Sequence, residues 1–152
     1  MSRLTNSHIR VANADDFQTL SEIWLEASLL AHDFIPASHW QDNKIAMQEV
    51  YLPAAQVYLL EDEHAICGFI AVIDQHIEAL FVAPKYQGQG IGKRLLEHVQ
   101  QTSDTLMLNV YQDNVQGVRF YTHNHFKIEQ EGFDEQTNTA DFVMVWQRPE
   151  HG

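Results

Sequence analysis

The sequence has a single cysteine, Cys67, in 152 residues. No internal disulfide can form, which fits a reducing cytoplasm, and Cys67 sits in an apolar run that reads as a strand, so it reads as a buried structural thiol. Basic residues are scarce too. Nine Lys plus Arg stand against 21 Asp plus Glu, for a net charge of −12. So acidic a chain lacks the basic footprint that nucleic acid requires, and its surface favours cationic partners such as amines. No apolar run approaches the roughly 18 residues that cross a bilayer. The stretch from Met1 to Arg10 is polar and lacks the apolar segment of a signal peptide. A cytoplasmic protein with no membrane partner is expected. His123 and His125 form a His-x-His pair, but no Cys or His cluster accompanies it in sequence, so no metal is expected. What the chain does have is 45 % hydrophobic residues. That suffices for one core, and a single domain over residues 1–152 is expected.

The most informative stretch runs from Ile77 to Val99. Ile77 to Val82 is a short apolar strand, stopped by Pro84, which cannot join a central ladder. Gly88, Gly90 and Gly92 follow at alternate positions, and then the period changes: Ile91, Leu95, Leu96 and Val99 mark one face of a helix. A Gly-rich turn into a helix aims backbone N–H groups and the positive end of a helix dipole at one point, which suits a phosphate. The P-loop pattern fails, because Lys93 is followed by Arg94 where Ser or Thr belongs. The dinucleotide pattern fails on the spacing of its last glycine. A plain tight turn is the alternative.

Around this centre the chain reads as follows. A strand at His8 to Val11 precedes a helix capped by Asn13, with Phe17, Leu20, Ile23, Trp24 and Ala27 on its apolar face. A second helix is expected from about Ala37 to Tyr51. Gln56 to Glu61 and Ala65 to Ile73 form a hairpin around Asp62-Glu63-His64. After the central strand and helix come a strand at Thr105 to Val110 and a short helix with Val115, Val118 and Tyr121 on one side. Strands at Phe126 to Phe133 and Asp141 to Gln147 close the chain, and Arg148 to Gly152 is expected to fray. The order β-α-α-β-β-β-α-β-α-β-β gives a mixed α/β (α+β) architecture with antiparallel hairpins and crossover helices.

Gln87, Gly90 and Gly92 match the pattern Gln/Arg-x-x-Gly-x-Gly/Ala, and the element order agrees over nearly the whole chain. The sequence thereby resembles the Gcn5-related N-acetyltransferases (GNAT). A second segment, Asn114-x-x-Gly117-x-x-Phe120-Tyr121-x-x-x-His125-Phe126, is similar to that family's Asn-x-x-Ala-x-x-Phe-Tyr-x-x-x-Gly-Phe signature. Gly117 stands where the family has Ala, and is expected to loosen the helix by about 1 kcal/mol. His125 stands where the family has Gly, at a position expected to be left-handed. Trp24-Leu25-Glu26, His32-x-Phe34-Ile35, Ala79 to Lys85 and Met144-Val145-Trp146-Gln147 resemble the small bacterial YiaC type, and His32-Asp33-Phe34 and Gln75-His76 the related YjaB type.

The resemblance implies a GNAT fold, with a mixed, mostly antiparallel sheet flanked by about four helices. It implies acetyl-CoA as co-substrate, and acetyl transfer to a primary amine by direct attack. The YiaC type implies a protein lysine as acceptor; a small-molecule amine such as an antibiotic, polyamine or amino acid is the alternative, as is a silent acyl-CoA sensor. Gln87, Gly88, Gln89, Gly90, Ile91, Gly92 and Lys93 would hold the pyrophosphate. Leu80, Phe81 and Val82 would pair with the pantetheine arm, with a bulge aiming the Val82 N–H at the thioester oxygen. Tyr121 would serve as general acid near the sulfur, or be a core aromatic beside Phe120. Asn114 would contact cofactor or strand, or simply cap its helix. His76 and Glu78, two apart on one strand face that Leu80 and Val82 would continue, are the candidate base and its partner. His32, Phe34 and Trp40 would line the acceptor side, or form a packed helix junction. The protein would act as a monomer or as a homodimer paired through C-terminal strands.

Overall fold

The computed structural model describes residues 6–149. One seven-stranded sheet in the order β1-β2-β3-β4-β5-β7-β6 carries the molecule. The strands are β1 (His8–Val11), β2 (Gln56–Glu61), β3 (Ile66–Ile73), β4 (His76–Val82), β5 (Thr105–Tyr111), β6 (Lys127–Asp134) and β7 (Thr139–Gln147). All neighbouring pairs run antiparallel except β4 and β5.

Helices cover both faces. On one side lie α1 (Phe17–Ala31) and α2 (Ala37–Asp42), whose Leu20, Ile23, Trp24 and Trp40 pack on Leu59, Phe69 and Ala79. On the other side α5 (Ile91–Gln100) inserts Ile91, Leu95, Leu96 and Val99 against Ile70, Leu106 and Leu108. The period seen in the sequence therefore marks the buried stripe of α5. Helix α6 (Val115–His123) follows β5 on this same side, its Phe120 and Tyr121 packed on the cluster. Cys67 is fully buried and unpaired, and burial pushes its thiol up, away from the reactive thiolate.

The expected second helix is broken. Asn43 interrupts it, and α3 (Lys44–Ala46), a π-helical turn at Met47–Tyr51 and α4 (Leu52–Ala54) follow. The wider turn places Met47 and Leu52 in the core together. The expected frayed tail concerns residues 148–152, of which 150–152 lie outside the described residues. Arg148 is held: its guanidinium donates to the carbonyls of Gln100, Gln101 and Ser103 at 2.8–2.9 Å.

Three positions flanking α5 and α6 have positive φ. Gly90 caps α5 at φ 79°, and Gly88 also has positive φ, so the turn needs glycine for its dihedrals. His125 adopts φ 75° after α6, as expected for a position where glycine is common. A left-handed L-residue costs about 1–2 kcal/mol, and glycine returns part of that through a freer unfolded chain. His125→Gly is therefore expected to stabilise the fold by about 0.5–1 kcal/mol in urea titration, and a destabilised variant would contradict this.

Candidate active site

The site begins where β4 and β5 part. They pair only at His76↔Met107 and Ile77↔Leu108. Beyond those pairs, the edge of β4 facing β5 has no ladder partner. Backbone N–H and C=O groups left free on a strand edge form a template for an extended ligand.

β4 also carries a bulge, at Glu78. Ala71 pairs with Ala79 but Val72 with Ile77, so Glu78 has no partner on β3. The bulge changes which residues share a face. Ile77, Leu80 and Val82 pack on the α5 side, while Ala79 and Phe81 pack on the α1 side. This corrects two expectations. The bulge is not at Val82, whose pairing with Gly68 is regular. Leu80 and Val82 do not continue the face of His76, because the extra residue reverses the alternation.

Two cavities flank the opening. One, of about 310 Å³, runs between the end of β4 and α6. Leu80, Phe81, Val82, Gln87, Gly92, Asn114 and Tyr121, all named in the sequence as candidates for the cofactor, line it. Leu30 and Phe120 were not anticipated there. Leu30 is 61 % exposed, an apolar residue left bare at the groove wall. Gly88, Gln89 and Gly90 in the turn beside the groove and Lys93 in the first turn of α5 do not line it, and Ile91 turns its side chain into the core. Gly92 faces the Phe120 ring of α6, and a Cβ there would meet it at 3.4 Å, an ordinary contact. Together, an unpaired strand edge, an apolar wall and a Gly-rich helix start suit a ligand with an amide arm and a phosphate end.

The second cavity, of about 250 Å³, lies where β4 and β5 part, lined by residues of both strands. Its wall includes Trp24, His32, Trp40, Glu78, Asn109, Tyr111, Asp134 and Asp141. Three carboxylates and no Lys or Arg line it. The Tyr111 hydroxyl donates to Asp134 at 2.6 Å. Burial raises the Asp134 carboxyl, but that bond and the Gln136 N–H outweigh it and hold the group below the ordinary carboxylate range. His32, Leu80, Phe81, Asn114 and Tyr121 line both cavities and mark where they meet.

The structure divides the His76–Glu78 pair. Glu78 lines the second cavity and His76 lines neither. His76 Nδ1 contacts the Glu78 carboxylate, and its Nε2 lies 2.9 Å from Asn109 Oδ1. Both ring nitrogens are engaged with oxygens, so His76 stands behind Glu78 as its support. Tyr121 is the one phenol common to both cavities. Burial pushes its hydroxyl well up from its ordinary value, so it stays protonated at neutral pH. Among the described residues no side-chain hydrogen bond engages it.

Of the three acceptor-side rings, His32 and Trp40 reach the cavity and Phe34 does not. Phe34 sits behind, edge-on to His32 and Tyr111 at 5.8 Å each. His32 stacks on Trp40 at 5.0 Å, and burial pushes its imidazole down to about 4. At pH 7 both folded and unfolded His32 are neutral; as pH falls below 6.5 the unfolded ring takes a proton that the folded ring refuses until about pH 4. Native stability therefore falls across that window, by about 3 kcal/mol at most. Urea titrations at pH 7 and pH 4.5 are expected to show this loss in the parent and not in His32→Phe. An equal loss in both would place the acid sensitivity elsewhere.

The comparisons with known proteins agree with this geometry. The model of the acetyltransferase (GNAT) domain matches residues 53–128. The peptidyl-lysine N-acetyltransferase YiaC of Escherichia coli K12 is 34 % identical over 139 residues, covering 91 % of this chain and 95 % of that one. The chain belongs to the GNAT acetyltransferase family. YjaB of Salmonella typhimurium, also named a peptidyl-lysine N-acetyltransferase, is 31 % identical and covers 80 % of this chain and 83 % of its own. In fold, this GNAT chain superposes on the solution structure of apo YjaB from Escherichia coli with a TM-score of 0.82 at 26 % identity, over 92 % of this chain and 97 % of that one. PaiA N-acetyltransferase of Thermoplasma acidophilum, solved with coenzyme A, shares the fold with a TM-score of 0.77 at 21 % identity, over 97 % and 100 % of the two chains.

Proposed function

We propose that this GNAT acetyltransferase transfers the acetyl group of acetyl-CoA to the side-chain amine of a lysine in a protein or peptide. The observation that carries the reading is the pair of cavities meeting at Tyr121, one of them lined by Glu78, Asp134 and Asp141 with no Lys or Arg. A cation is drawn to such a wall, and the names of YiaC and YjaB support lysine as its source.

In this reading the pantetheine arm lies along the free edge of β4 and the pyrophosphate at the start of α5. Glu78, directly or through a water, takes a proton from the lysine ammonium. The neutral amine attacks the thioester carbon, the C–N bond forms, and the C–S bond breaks. Tyr121 donates a hydrogen bond or its proton to the departing sulfur, and the second proton, shed by the new amide nitrogen as the intermediate collapses, passes through water to the thiolate or restores the Tyr121 hydroxyl. No covalent enzyme intermediate and no metal enter these steps. One chain lines both cavities, so a monomer suffices and a homodimer is compatible. The free thiol of Cys67 fits a cytoplasmic setting.

The test is a panel of lysine peptides, spermidine and an aminoglycoside, each with acetyl-CoA, read by mass. Peptides with a basic neighbour of the lysine are expected to be acetylated fastest, with rates that fall as salt rises. A small amine that outpaces every peptide would replace this acceptor by a small molecule.

A further inference from the structure

The N-cap of α6 does more than close a helix. Asn114 Oδ1 accepts the Gly117 N–H at 3.0 Å. That bond fixes which end of the amide is oxygen, so the other end, Nδ2, is a donor. Nδ2 lies 3.4 Å from His32 Nε2. A donor facing Nε2 leaves a lone pair on that nitrogen, and the ring proton goes to Nδ1. In this pose the amide occupies space that a side chain at residue 117 would take. A Cβ there would stand 2.4 Å from Asn114 Nδ2. Gly117 thus does not merely loosen the helix, as the sequence suggested; it makes room for the amide that faces His32.

The position of the ring gives this tautomer a use. His32 is 8 % exposed, and its Nδ1 is sealed from solvent with no partner. Yet the ring lines both cavities. Nε2 reaches toward Asn114, itself a wall of both, and so marks the side of the ring nearest the point where they meet. Trp40, Phe34 and Tyr111 hold the ring on its other sides. Burial also keeps the imidazole from taking a proton at neutral pH, so Nε2 remains an acceptor. The contact with Asn114 is long, and an incoming N–H of better geometry can share or displace it.

We propose that His32 Nε2 accepts a hydrogen bond from the attacking amine where the two cavities meet, and that Asn114, given room by Gly117, is the positioning residue that keeps Nε2 unprotonated. Glu78 takes the proton of the ammonium; His32 then orients the neutral amine so that its lone pair faces the thioester. The inference rests on the acetyl-transfer reading for its kinetic part, and stands apart from it for the tautomer.

Two measurements test it. Imidazole ¹⁵N spectra of the free protein at pH 7 are expected to show His32 protonated on Nδ1 alone, with tautomers mixed in Gly117→Ala and Asn114→Ala. A proton on Nε2 in the parent would overturn the proposal without touching the assignment of the enzyme. The kinetic arm compares His32→Gln with His32→Met, side chains of similar length that differ in the acceptor. The Met variant is expected to have kcat/KM for a lysine peptide about tenfold below that of Gln, the size of one hydrogen bond, with acetyl-CoA affinity the same in both. Equal kcat/KM in the two variants would contradict the role of Nε2. Should either variant fold poorly, His32→Phe keeps a ring on Trp40 and discards an unpaired buried donor, so its Tm is expected to be no lower than that of the parent while its peptide KM or kcat suffers. Unimpaired peptide kinetics in a folded His32→Phe would likewise contradict it. A parent that binds no acetyl-CoA would instead remove the reading on which the kinetic arm rests.

Discussion

Tyr121→Phe is expected to fold like the parent, to bind acetyl-CoA with unchanged affinity, and to turn over about 10²–10⁴-fold more slowly, the range of a lost acid–base residue. Tyr121 occupies the place where the groove along β4 meets the acidic cavity. The ring packs edge-on against Phe120 at 5.1 Å and Phe126 at 5.5 Å, and phenylalanine preserves those contacts. Only the hydroxyl is lost. Because burial keeps that hydroxyl protonated, it can meet the thiolate as it forms. A thiolate is a good leaving group, so the effect falls toward the lower end if the hydroxyl donates a hydrogen bond and toward the upper end if it gives its proton. Rapid-quench or thiol-release rates with saturating acetyl-CoA separate chemistry from binding. Turnover within threefold of the parent would take Tyr121 out of the reaction.

The second large effect is expected at Glu78. Glu78→Gln keeps the shape of the bulge and removes the only carboxylate that β4 brings to the acceptor cavity. A lysine amine with a pKa of about 10.4 is almost wholly charged at pH 7, and it cannot attack until a proton leaves. Loss of the base is expected to lower kcat by about 10²-fold at pH 7. The deficit should shrink as pH rises toward the pKa of the amine, because hydroxide and bulk buffer then do the same work. His76→Ala is expected to cost less, since it leaves the carboxylate in place and removes only the ring that holds it through Nδ1 and reaches Asn109 through Nε2. If His76→Ala proves the more severe of the two, and the pH–rate profile changes with it, the roles are exchanged.

Much of this site could be read from local pattern. The glycines of the turn are required by backbone dihedrals that leave a direct mark on sequence: Gly88 and Gly90 have positive φ, and His125 holds the position where glycine is usual. The buried stripe of α5 and the cap at Asn114 are likewise local, four-residue relationships. The parts that stayed hidden are set by pairing between distant strands. Nothing within Ile77 to Val82 marks Glu78 as the bulged residue, because the register is decided by Ala71 and Val72 on β3. The separation of β4 from β5 after two paired positions is invisible for the same reason. Asn109 and Tyr111 carry a local signal, as polar positions alternating with Leu108 and Val110 on β5. Asp134 and Asp141 gave no such signal. They reach the site because β7 lies between β5 and β6 and sets Asp141 beside Tyr111. Gly117 shows the limit of a family pattern applied residue by residue. A change from alanine reads as a small loss of helix propensity, yet its consequence lies in the side chain of Asn114 three residues earlier and in the ring that it faces.

The most direct test of the central claim is calorimetric titration with acetyl-CoA, followed by free-thiol release in the presence and absence of a lysine peptide. Saturable binding at one site per chain, with thiol release that depends on the peptide and an equal gain of acetylated lysine, is the predicted result. Absence of binding would mean that the turn from Gln87 to Lys93 and the free edge of β4 hold no acetyl-CoA, and would contradict the account at its base.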